Sequence, residues 1–83
     1  MTNDQIEKFV EAKKFSQESA KIHFKTRNAL IGVFIKGADY DDLKSKNFWR
    51  IVSGSNLEHW RKTKDNNLAR IFNGAEITRL TDQ

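Results

Sequence analysis

Eighty-three residues, 37% of them hydrophobic and nine aromatic, are enough for one domain with one core and too few for a second domain. The absence of Cys removes disulfides, thiolate nucleophiles and every Cys-based zinc or iron–sulfur site, and no residue pattern calls for a cofactor. A net charge of +4 permits contact with phosphates but falls well short of a dedicated basic arm.

Cores of this size leave about 3–5 kcal/mol of stability without staples, so association of the chain with itself as a homo-oligomer is an expectation from size alone. The first residues, MTNDQIEKFVEAKK, are acidic before they are basic and lack the apolar run of a secretory signal. No stretch approaches the ~20 apolar residues of a membrane span. The expected setting is therefore cytoplasmic, with no membrane partner.

Thr2 and Gln5 have capping-box spacing, and Ile6, Phe9, Val10 and Lys13 follow at helical intervals, which predicts an amphipathic helix over 3–14. Phe15 is expected to anchor its exit, and Ser16 to Ser19 to form the connection. From Lys21 to Arg27 the chain alternates strictly, with Ile22 and Phe24 on one side and Lys21, His23, Lys25 and Arg27 on the other. That is a strand, about 21–27. After Asn28, the β-branched and aromatic run over 29–36 reads as its hairpin partner, with Gly32 marking a bend or a close backbone approach.

Asp39, Asp41 and Asp42 ahead of Lys44 suit the dipole of a one- or two-turn helix, and a solvated helix start accounts for them better than a cation site does. Residues 48–52 form a third strand, apolar on both faces and so expected to be covered on both. Ser55 and Glu58 repeat the capping-box spacing, predicting a short helix over 56–63 that carries Leu57 and Trp60. Strands at about 68–73 and 75–80 flank Asn73-Gly74, a strong hairpin signal. The fold class is α+β: an N-terminal helix, then a curled five-strand antiparallel sheet or small barrel with helical insertions around strand three.

Two local patterns resemble the Sm-like small-barrel family. Leu30, Gly32, Phe34 and Asp39 are similar to its first motif, although the Asp comes one residue late; Ile71-Phe72-Asn73-Gly74-Ala75-Glu76-Ile77 with Leu80 is similar to its second. The resemblance implies subunits joined edge to edge through strands four and five into rings, and RNA binding. Asn73 stands where the family has a basic residue that helps bind bases, so fold can carry over without RNA binding.

The most distinctive chemistry is the row Lys21, His23, Lys25, Arg27, which a strand would present roughly 6.6–6.8 Å apart, near the spacing of successive phosphates. It reads either as a track for RNA or single-stranded DNA or as the solvated face of an edge strand that discourages unwanted pairing. Trp60 beside Arg61 and Lys62 suggests a base stacked on an indole with phosphates nearby, against the alternative of a core residue with charged neighbours. His23 and His59 have no nucleophile or carboxylate at a useful spacing, so no enzyme is read here. The sequence thus leads to a non-enzymatic binding domain for single-stranded nucleic acid, or to a protein-interaction or self-assembly module.

Overall fold

The computed structural model describes residues 1–12 and 19–82; the expectations for Lys13, Lys14, Phe15 and residues 16–18 lie outside them. Helix α1 spans Asn3–Ala12 and opens on the reciprocal capping box, the Gln5 amide donating to Thr2 Oγ1 and the Thr2 amide to Gln5 Oε1. Strands β1 (Ala20–Phe24) and β2 (Leu30–Phe34), helix α2 (Tyr40–Ser45), strand β3 (Phe48–Ser53) and helix α3 (Gly54–Thr63) follow. A 3₁₀ turn (Asn66–Leu68), strand β4 (Arg70–Asn73), a second 3₁₀ turn (Gly74–Glu76) and strand β5 (Ile77–Asp82) complete the chain. The class is α+β, with an N-terminal helix and a five-strand antiparallel sheet ordered β4-β3-β2-β1-β5.

The period of two along each strand sorts its side chains onto two covered faces. On one, Ile22, Phe34, Trp49, Ile51, Phe72 and Ile77 pack against Ile6 and Val10 of α1 and Tyr40 of α2. On the other, Val33, Ile35 and Val52 pack against Leu57 and Trp60 of α3. The apolar residues on both sides of β2 and β3 are explained by this double cover. At Gly32 the packing is tight enough that a Cβ would come within 2.7 Å of Ile51 Cγ2 and 2.9 Å of the Val52 carbonyl oxygen.

Three local expectations are corrected. The closing hairpin does not form: β4 and β5 are the two edges of the sheet, and β5 pairs with β1 instead. A type I′ turn needs positive φ, whereas no described glycine has it; Asn73 instead accepts from the Ala75 amide and starts a 3₁₀ turn. Helix α3 begins at Gly54, before the expected Ser55–Glu58 box, and its N-cap Ser53 makes no side-chain capping bond. Strand β1 ends at Phe24, with an irregularity in its β5 register at His23/Phe24, so Lys25, Thr26 and Arg27 form a bend outside it.

Candidate nucleic-acid interface

The end of β1 at Phe24 breaks the expected row of four basic side chains. Lys21 and His23 keep their place on the strand, and β5 brings Arg79 opposite His23 and Thr81 opposite Lys21. Lys25 lies in the bend, its amide donating to the Glu76 carbonyl at 2.9 Å. Arg27 turns onto the aromatic core, its guanidinium carbon 5.3 Å from the Phe24 ring centre and 5.6 Å from that of Phe72. The alternation in sequence was real, but the chain leaves the strand before the last two residues can use it.

Neither indole is available for stacking. Trp49 is 2% exposed and donates to Asn47 Oδ1 at 2.8 Å; Trp60 is 6% exposed on the sheet-facing side of α3, with the Lys64 ammonium 4.5 Å from its ring centre. The reading of Trp60 as a base platform is therefore corrected to a core residue. Arg61 and Lys62 lie in the last turn of α3, while the first residue of that helix, Gly54, abuts Ile31, the Cα partner of Lys21. They belong to the end of α3 away from the β1 row, and Lys62 is 4.0 Å from Glu58.

Which cations have acids decides where positive charge is left over. Around α2, Lys44 pairs with Glu7 at 2.7 Å and lies 3.6 Å from Asp41, and Lys46 lies 3.5 Å from Asp42. Arg50 grips Asp39 with two bonds of 3.1 and 2.7 Å. The Arg50 hydrogen bond holds the Asp39 carboxyl below its ordinary value, and the Glu7 hydrogen bond raises Lys44. The three aspartates thus serve local cations. By contrast, Lys21, Lys25, Arg27, Arg70 and Arg79 have no carboxylate partner among the described residues. They occupy β1, its following bend and the two edge strands; exposed Lys8, on α1, likewise has no carboxylate partner among the described residues.

Arg70 and Arg79 escaped the sequence reading because each stands alone in its own segment. Only the β1–β5 pairing sets Arg79 beside His23, and only the fold brings Arg70 together with Arg27 along a groove of about 430 Å³. Phe24, Thr26, Ile71, Phe72, Asn73 and Glu76 complete its lining. No family model, curated protein or solved structure matches the chain.

Proposed function

We propose that the chain is a non-catalytic binding domain for single-stranded nucleic acid, with Lys21, Lys25, Arg27, Arg70 and Arg79, beside His23, as its phosphate-binding cations. The observation that carries this reading is the segregation of charge: acids neutralise the cations around α2 and β3, while those on β1, its bend and the sheet edges are left for an external anion. Phosphate contacts release counterions, so the test is fluorescence anisotropy with a labelled single-stranded oligonucleotide at low and high salt. Binding that weakens steeply with salt supports the proposal; absence of binding at low salt sinks it.

An Sm-like, barrel-forming relationship is part of the same proposal. What supports it is a length argument. Four strand spacings of about 4.8 Å would put the edges of a flat sheet roughly 19 Å apart. The link from Asn73 to Ile77 reaches no more than about 14 Å even fully extended, and a 3₁₀ turn is shorter. The 5.5 Å approach of the Phe24 and Phe72 rings, from strands two places apart from being neighbours, argues for the same curl.

Self-assembly is the second reading, favoured by one observation: Ile71, on edge strand β4, is 51% exposed. Edge-to-edge pairing of β4 with β5 of another copy would cover it. Sedimentation velocity separates this reading from the first, since a concentration-dependent oligomer lost in Ile71→Lys requires the edge and not the cations.

A further inference from the structure

We propose that the groove between the bend after β1 and edge strand β4 is a nucleotide site, which binds a single nucleotide unit by its phosphate and its base together. The inference rests on the nucleic-acid reading above and deepens it by naming where a base would sit. Three features of the groove lead to it.

The first is its charge. Arg27 and Arg70 both line it without a carboxylate partner among the described residues, and Glu76 is the single acid in the lining. Two guanidiniums with donors to spare match a phosphate, which planar Arg forks bind in bidentate fashion better than isolated ammonium groups do. The second is its floor. Phe24 and Phe72 meet at 5.5 Å with their planes tilted by 46°, and Arg27 lies across both rings. Arg27 is exposed, so its guanidinium, 5.3 and 5.6 Å from the two ring centres, offers its outer side to a base, a platform tolerant of base identity.

The third feature is the polar end of the groove. Asn73 Oδ1 is committed to the Ala75 amide at 2.9 Å, which leaves its NH₂ group as a donor, and the Glu76 carboxylate beside it is an acceptor. The Watson–Crick edge of every nucleobase carries both a donor and an acceptor, so this pair can engage a base without selecting one. A volume of about 430 Å³ lies in the range of roughly 300–1,000 Å³ typical of small-molecule sites. A lone phosphate would leave the outer face of the Arg27 guanidinium uncovered, and a nucleoside would leave Arg70 without an anion.

The experiment is heteronuclear NMR titration of the whole chain with adenosine 5′-monophosphate, adenosine and inorganic phosphate, repeated on Arg27→Gln with Arg70→Gln. Shifts from the nucleotide should centre on the amides of residues 26–27 and 70–76, with affinity at least about tenfold above that of adenosine or phosphate alone. The double variant should lose at least about tenfold in nucleotide affinity. If the nucleotide shifts only Lys21, His23 and Arg79, or binds no better than phosphate, the groove is not a nucleotide site. The broader reading is told apart by the oligonucleotide: salt-dependent oligonucleotide binding by the parent, with nucleotide affinity unchanged in the double variant, overturns the groove proposal alone, whereas no oligonucleotide binding by the parent overturns both.

Discussion

Asp39 looks in sequence like a helix-start residue, and in space it does something else. Its side chain makes no capping bond to α2; both carboxylate oxygens accept from Arg50, tying the segment before α2 to β3. Because that hydrogen bond lowers the Asp39 pKa in the folded state, the pair contributes stability above the unfolded carboxylate pKa and loses it as pH falls through the lower, folded value. Asp39→Asn keeps the shape and removes the titration. Its stability, followed by denaturant midpoint from neutral pH into the acid range, should fall less steeply than that of the parent; parallel curves would show that the pair is uncoupled from folding. Tyr40 works in the opposite direction. Desolvation, with help from Glu11, raises its pKa to about 12, so its contribution is complete below the ordinary tyrosine value and disappears as alkali passes the folded one.

At the scale of elements, the sequence was most legible where neighbours in the chain are neighbours in space. The Thr2–Gln5 box and the spacing of Ile6 and Val10 specify α1 locally, and the β1–β2 hairpin follows from the alternation before Asn28 and the β-branched and aromatic run after it. The junction of β4 and β5 was misread because Asn73-Gly74 satisfies a turn rule while serving a tertiary contact. Gly74 donates its amide to the Asn47 carbonyl at 2.7 Å, and a Cβ there would lie 2.1 Å from Asn47 Oδ1 and 2.7 Å from Ile6 Cδ1. Asn47 sits in the left-handed region with φ 62°, accepts from Trp49 Nε1 and donates to the Met1 carbonyl, so one residue joins α1, β3 and the β4–β5 turn. Close packing, with φ negative, is thus the reason for glycine. Gly74→Ala should displace Asn47 and cost about 1–3 kcal/mol by overpacking and lost hydrogen bonds, read as a lower urea midpoint with unchanged slope. An unaltered midpoint would mean the turn relaxes without disturbing Asn47.

For the whole molecule, the lesson is that charge count said less than charge pairing. Residues 21–38 carry four cations and no acid, three of them on β1 and its bend, but Lys36, in the same run, points to α2 and lies 5.3 Å from the Tyr40 ring centre. Arg70 and Arg79 come from a segment whose net charge is zero, so no count along the chain could have added them. The part of the candidate surface that was legible is the continuous run over β1 and its bend; Arg79 depends on β5 pairing with β1, and Arg70 on β4 meeting that bend.

The central claim is that unpaired cations, and not overall positive charge, bind nucleic acid. It is tested most directly by the salt slope of oligonucleotide binding in two variants of equal net charge: Lys21→Gln with Arg79→Gln, and Lys46→Gln with Lys62→Gln, whose lysines lie near Asp42 and Glu58. Circular dichroism confirms folding of each. Counterion release assigns about 0.7 of logarithmic slope to each phosphate neutralised, so the first variant should lose about 1.4 and the second should match the parent. Equal loss in both variants would contradict the account.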